Sequence, residues 1–303
     1  MATYSEASFN SQHYDDSRPN YPERFYCELI NYHKQKGDTQ LAVDIGCGSG
    51  FVAFKLLEYF KHVIGTDPSS TMISQCQGNI PKLPENKTIE FIIGSGELQP
   101  STIVPGSVDL ITGAECCHWV DHAKFFSESA RVLKPNGTLA YWFYKDPVFV
   151  GYPKANAIYE NYTYNSSKEM NPDDEFERYM GPYYQQPGHD YLRSLLKEKS
   201  PPTDLFYDIV RHEYISERDG APTENENAYV TKTPLFIRKV IDMTWFLNYV
   251  RSWSAYHTWM KEHGGKYDIA EVFVDELKQQ MDWKDDTKIE VIWDTVYTFA
   301  RKK

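Results

Sequence analysis

No stretch of this 303-residue chain approaches the roughly eighteen consecutive apolar residues that a membrane-crossing helix needs. No basic-then-apolar segment opens it, so no secretory leader is expected. Runs of Lys and Arg are missing. The balance is 32 basic against 43 acidic residues, a net charge of -11, which gives no basic face for nucleic acid or an anionic membrane. Cysteine is sparse: Cys27, Cys47, Cys76, Cys116 and Cys117 are odd in number and irregular in spacing, so they do not form a disulfide framework. A reducing, cytoplasmic setting follows as the expectation. Internal repeats and low-complexity tracts are absent as well.

What is present is an ordinary globular composition, 41% apolar and 25% charged, heavy in aromatics at 15% with 23 Tyr. Tyr joins an apolar ring to a polar tip and suits pocket walls. Tyr21 to Gln35 has helical spacing, with Pro22 at its start. Five short apolar runs then alternate with helical segments: 41–45, 62–67, 89–94, 107–113 and 138–144. Such alternation predicts βαβ units and a parallel sheet covered on both faces. After Asp146-Pro147 the grammar changes. Residues 151–200 are rich in Tyr, Asn, Pro and Glu; 206–215 reads as a sixth strand and 217–233 as a polar loop. Met243 to Trp259 and Ile269 to Gln280 read as amphipathic helices, and the stretch from Lys288 to Phe299 as a terminal strand.

The first apolar run leads straight into Gly46-Cys47-Gly48-Ser49-Gly50, preceded by Asp44 and followed, at the end of the second run, by Asp67-Pro68. A glycine turn after the first strand lets backbone approach a ligand closely, and an acid at the end of the second strand can accept the ribose hydroxyls of an adenosine. The hydride-cofactor fingerprint G-x-G-x-x-G fails, because its last glycine slot holds Phe51. The phosphate-cradling loop fails too, for want of Gly-Lys-Ser/Thr. Acid-x-Gly-x-Gly-x-Gly with a second acid resembles the nucleoside and methionine site of class I methyltransferases that use S-adenosylmethionine (SAM). A tight turn in an unrelated α/β enzyme and a dehydrogenase are the competing readings. Two further loops fall beside this turn: Gly94-Ser95-Gly96-Glu97 after the third strand, and Glu115-Cys116-Cys117-His118-Trp119 after the fourth.

From about residue 9 to the end, the chain resembles the fungal trans-aconitate methyltransferases and their sister small-molecule methyltransferases linked to cantharidin resistance. The matching pieces are Tyr14-x-x-x-Arg18-Pro19-x-Tyr21-Pro22, residues 43–50, Ile64-Gly65-Thr66-Asp67, residues 114–119, Gly181 to Gly188, and Val250-Arg251-Ser252-Trp253-Ser254-Ala255-Tyr256-His257-x-Trp259. Residues 66–70 and 142–144 lean toward the cantharidin-linked group, residues 181–188 and 234–239 toward the trans-aconitate group. The resemblance implies a Rossmann-like, seven-stranded class I methyltransferase sheet, mostly parallel with one antiparallel strand. A helical cap is expected from 1–25, 151–203 and 217–285, over a core of about 38–150, 204–216 and 286–303, all one domain. It implies SAM as cofactor, a small acidic substrate with a carboxylate oxygen as acceptor, and a monomer or dimer. A foreign (cantharidin-like) or lipid-derived acceptor is the alternative, as is a non-catalytic SAM-binding protein.

Expected cofactor contacts are Tyr14, Arg18, Asp44, Gly46, Gly48, Gly50, Asp67, Pro68, Gly96, Glu97 and Glu115. Expected substrate contacts are Arg18, Tyr21, His118, Trp119, Arg251 and Tyr256, with Arg238 a weaker candidate. Arg pairs with a carboxylate bidentately, and aromatic faces favour a sulfonium. For each Arg the competing reading is a structural ion pair. A carboxylate is already ionised at neutral pH, so no catalytic base is required; His118 is the candidate base if the acceptor is a hydroxyl, or else a structural His. Trp253, Tyr256 and His257 share one helical face, which lines the cap or forms core. No metal is expected: Cys116, Cys117 and His118 are adjacent on an extended segment and have no second ligand pair at metal spacing.

Overall fold

The computed structural model describes residues 18–165, 177–216, 233–264 and 267–303. Its elements in chain order are α1 (Glu23–Lys34), β1 (Leu41–Ile45), α2 (Phe51–Leu56), β2 (His62–Asp67), α3 (Ser70–Gly78), β3 (Thr88–Ile93), β4 (Val108–Ala114), α4 (His122–Val132) and β5 (Leu133–Phe149). They continue with α5 (Pro153–Tyr164), a 3₁₀ turn at Gly181–Tyr183, α6 (Gly188–Arg193), β6 (Phe206–Tyr214), β7 (Ile237–Ile241), α7 (Met243–Arg251), α8 (Ser254–His263), α9 (Ile269–Met281) and β8 (Ile289–Lys302).

The sheet runs in the order β3-β2-β1-β4-β5-β8-β6. β1 to β5 are parallel, and β8 lies antiparallel between β5 and β6. The strands are apolar on both faces because helices cover both. On β5, Ala140, Trp142 and Tyr144 enter one core with Phe25, Leu56 and Phe246, while Leu139, Tyr141 and Phe143 enter the other with Phe125 and Phe206. That split is the period-2 alternation of a strand buried on both sides.

The seven expected strands are present, and an eighth was not foreseen. β7 pairs with Ile289 to Trp293 of β8, beside the Thr295–Lys302 stretch that β6 takes. A second departure is the expected Met243–Trp259 helix, which is two helices. Asp242 caps α7 by accepting from the Trp245 amide at 2.8 Å. Ser252 ends it, its hydroxyl donating to Tyr249 O at 2.6 Å, and Trp253 turns extended (φ -80°, ψ 145°) before α8 begins. Competition from a serine hydroxyl for helix carbonyls favours such an end. Trp253 and Ser254, at this break, both line the cavity described below. No helix among the described residues is long and apolar enough to cross a membrane.

Strand order reverses between β1 and β4. In open α/β sheets, ligands bind outside the carboxyl ends of the strands at such a switch point.

Candidate active site

Asp44, the fourth residue of β1, is 1% exposed. Its Oδ1 accepts the Thr112 hydroxyl from β4 at 2.7 Å, and its Oδ2 has no hydrogen-bond partner. Burial pushes its carboxyl up to about 7, and the nearby Asp67 charge adds to the rise. Both acids thus share one electrostatic neighbourhood. Asp67 ends β2 and binds the glycine turn itself: Oδ2 accepts from the Gly48 amide at 3.0 Å and Oδ1 from the Ser69 amide at 2.8 Å. These bonds brace the carboxylate while its remaining lone pairs can serve a ligand. Pro68 follows it, exposed.

Gly46, Gly48 and Gly50 all have positive φ, at 61°, 53° and 90°. Gly48 is the informative one. A Cβ there would meet nothing within 4 Å, so the turn has open space above it, while the backbone angle itself disfavours any side chain. A buried acid with an unsatisfied oxygen, a braced second acid and open space over a glycine turn fit the amino-acid and ribose ends of SAM. Asp44, Gly46, Gly48, Gly50 and Asp67 would hold it. Gly96 packs under Val120, Phe125 and Ile45, and Glu97 Oε1 accepts the Asp121 amide at 3.0 Å, tying the loop after β3 to the start of α4.

The loop after β4 lies directly on the glycine turn, since Cys116 Cβ stands 2.5 Å from where a Gly46 Cβ would be. Next to it opens a cavity of about 80 Å³, lined among others by Arg18, Glu115, His118, Trp119, Lys145 and His189. Several water-sized positions, at roughly 10–15 Å³ each, fit in that volume, which is the scale of a small organic molecule. Glu115 sits at φ 53°, a left-handed angle that costs a non-glycine residue about 1 kcal/mol. Its Oε1 accepts the Tyr144 amide at 2.6 Å. Burial raises its carboxyl to about 8 although the Arg18 charge pulls the other way, so it is mostly protonated at neutral pH. Arg18 lies over the Tyr249 ring at 5.3 Å and donates to Ser252 O at 3.1 Å. His118 is 7% exposed, packs tilted against Trp119 at 4.7 Å, and leaves Nδ1 without a partner. Burial, with the Arg18 charge adding to it, holds it neutral, with its pKa lowered to about 3.

Gly188 closes the far wall. A Cβ there would strike the Trp119 ring at 2.6 Å, so only glycine lets the 181–188 segment pack this close. Gln186-Pro187 in that segment is a cis peptide.

The structure gathers Arg18, Glu115, His118 and Trp119 around one cavity. It places others elsewhere. Arg251 is an ion-pair hub, 2.6 Å from both Asp268 and Glu271, and Tyr256 donates to Asp268 at 3.3 Å; neither lines the cavity. Arg238 pairs with Glu290 at 2.5 Å across β7 and β8. Tyr21 packs edge-on against Trp142 at 5.6 Å and Phe51 at 6.1 Å. Tyr14 lies outside the described residues, as does most of the expected 217–233 loop. On the shared face expected of α8, Trp253 is core and lines the cavity, while Tyr256 joins the ion-pair hub. Sequence reasoning missed Lys145, Asp146, Tyr159, Tyr184, His189, Tyr249 and Ser254 as lining residues. Tyr184, His189 and Ser254 stand in or beside the segments that carry the family resemblance, which was the available signal. Among the described residues no group of three or more His, Cys, Asp or Glu is placed to hold a metal ion.

Comparison with known proteins agrees with this geometry. Residues 43–141 match the family model described as "Methyltransferase domain". The Saccharomyces cerevisiae protein described as "Probable S-adenosylmethionine-dependent methyltransferase CRG1" is 35% identical over 99% of this chain and 98% of its own length. Methyltransferase cfoB of Aspergillus candidus is 28% identical over 100% and 97%. A solved structure described as a "Putative Type II Methyltransferase" from Anaeromyxobacter dehalogenans superposes with a TM-score of 0.62 at 20% identity, covering 94% of this chain and 97% of that one, so it shares the fold. With the matching turn, the paired acids and a relative aligned end to end, the chain belongs to the SAM-dependent methyltransferases, enzymes whose methyl donor is S-adenosylmethionine.

Proposed function

We propose that this enzyme transfers the methyl group to a carboxylate oxygen of a small organic acid, giving a methyl ester. SAM supplies an electrophilic methyl carbon on a sulfonium. The observation that carries the choice of acceptor is the pair of cations, Arg18 and Lys145, on the cavity wall. The buried His118 imidazole that lines the same cavity, held near 3, is a poor base at neutral pH. A hydroxyl acceptor would need a base, whereas a carboxylate arrives already ionised, with a reference pKa of about 4. What it needs is orientation and removal of water.

The cavity charges favour an anion. Arg18 and Lys145 face it against one carboxylate, Asp146, which accepts the Tyr159 hydroxyl at 3.0 Å, since the other acid, Glu115, is largely uncharged. The Arg18 fork matches a carboxylate in shape and charge. Trp119, Tyr159, Tyr184, Tyr249 and Trp253 supply apolar walls, which suit the carbon skeleton of an unsaturated acid such as trans-aconitate, or of a foreign acid of similar size.

The test is transfer of labelled methyl from SAM to a panel of small acids. The proposal expects label in a volatile product released by mild base, the mark of a methyl ester. Label that resists base would mean an ether, amine or carbon acceptor and would overturn the reading.

A further inference from the structure

The cavity has two ends. At one end the loop after β4 brings Glu115 beside the glycine turn, where the methyl donor is held, and His118 reaches from the same loop toward the other end. β5, one strand farther from β1, delivers Lys145, and α6 brings His189 against it. Among the described residues Lys145 has no carboxylate partner, and its Nζ lies 5.9 Å from the centre of the Tyr164 ring. Arg193 lies over the same ring at 4.0 Å.

His189 is 6% exposed and stacks with two aromatic rings, Tyr184 at 3.7 Å and 4° and Tyr164 at 5.7 Å and 23°. Stacking fixes the imidazole plane and leaves its edge, with both nitrogens, as the part that can bond. Neither nitrogen makes a hydrogen bond among the described residues, and His118 Nδ1 has none either. The positive charges of Arg193 and Lys145, added to burial, keep His189 uncharged, so one of its nitrogens carries a proton to donate. Buried polar groups are normally satisfied, and two imidazoles plus an ammonium left open around one space ask for an acceptor with several lone pairs. A carboxylate has four such sites.

We propose that Lys145, His189 and His118 form a second anion subsite, which holds the non-reacting carboxylate of a dicarboxylic acid while the carboxylate at the Arg18 end is methylated. This rests on the carboxylate-acceptor reading above. The reacting oxygen forms the new C–O bond as the methyl–sulfur bond breaks, its electron pair stays on sulfur, and no proton moves. The enzyme therefore esterifies one end of a diacid and turns over poorly on the matching monoacid. Lys145 and His189 are specificity-determining residues rather than groups that touch the reacting atoms.

The test compares fumarate with crotonate, which replaces one carboxylate by a methyl group, in the wild-type enzyme and in Lys145→Met, Lys145→Arg and His189→Phe. Loss of a charge-assisted contact predicts a rise in KM for fumarate of roughly 10- to 100-fold in Lys145→Met, with recovery in Lys145→Arg. His189→Phe keeps the stack and is expected to raise KM by roughly tenfold. Affinity for S-adenosylhomocysteine should stay at the wild-type value in all three, which also shows that they fold. Equal use of fumarate and crotonate by the wild type, or an unchanged diacid preference in both Lys145→Met and His189→Phe, overturns the subsite while leaving carboxylate methylation standing. Failure of the wild type to esterify any acid overturns both.

Discussion

Asp67 carries two duties that a substitution separates. It braces the Gly48 and Ser69 amides, and it is placed to accept ribose hydroxyls. Asp67→Ala is expected to weaken SAM binding by about 1–3 kcal/mol, read by calorimetric titration; unchanged affinity would remove Asp67 from the site. Gly48→Ala is a sharper probe. No atom blocks the new methyl, so the fold survives, but the left-handed angle costs about 1–2 kcal/mol and the methyl enters the cofactor space. The expectation is a modest fall in melting temperature with loss of SAM binding. Glu115 sets a pH dependence. Its folded carboxyl titrates near 8 against about 4.3 unfolded, so between those values the folded chain holds the extra proton and stability falls as pH rises. Glu115→Gln removes that fall. Its stability relative to wild type should climb by roughly 1–3 kcal/mol from pH 5 to pH 8, a flat difference being the contrary result.

At the scale of elements, Arg251 is the decisive case. Its guanidinium joins the end of α7 to the N-cap Asp268 and to Glu271 of α9. Arg251→Ala should lower stability by about 1 kcal/mol, since the pair is partly exposed, and leave KM for the acid unchanged. A selective rise in KM would return Arg251 to the substrate site. The motif around it read as a ligand segment because Arg among aromatics has the same look whether it meets a substrate or an acid two elements away. Tertiary pairing is invisible in local sequence. The same limit hid the break at Ser252: no proline or glycine marks it, and the apolar spacing continues through Trp253 and Trp259 in register. β7 was hidden for a related reason. It is a short strand with Arg238 and Lys239 mid-span, and only pairing with β8 makes it one. By contrast β1, β2 and the turn between them were plain, because a buried parallel strand must be continuously apolar and a tight ligand-bearing turn must be glycine.

The whole molecule divides its labour along the sheet. The half before β5 is generic: it carries the proposed donor site, contains most of the 43–141 span that matches the family model, and was legible from the spacing of seven residues, Asp44 to Gly50. The proposed acceptor chamber draws on both halves, from pieces apart in sequence: Arg18 against Tyr249 and against Ser252, Glu115 against Tyr144, His118 against His189. That chamber is where relatives with one fold can differ in acceptor. The most direct measurement is a crystal structure with S-adenosylhomocysteine and fumarate bound together. The account predicts the ribose on Asp67, the sulfur facing the cavity, and one fumarate carboxylate at Arg18 with its oxygen in line with the sulfur. Cofactor bound away from the Asp44–Asp67 segment, or a sulfur with no path to the chamber lined by Glu115 and His118, would contradict it.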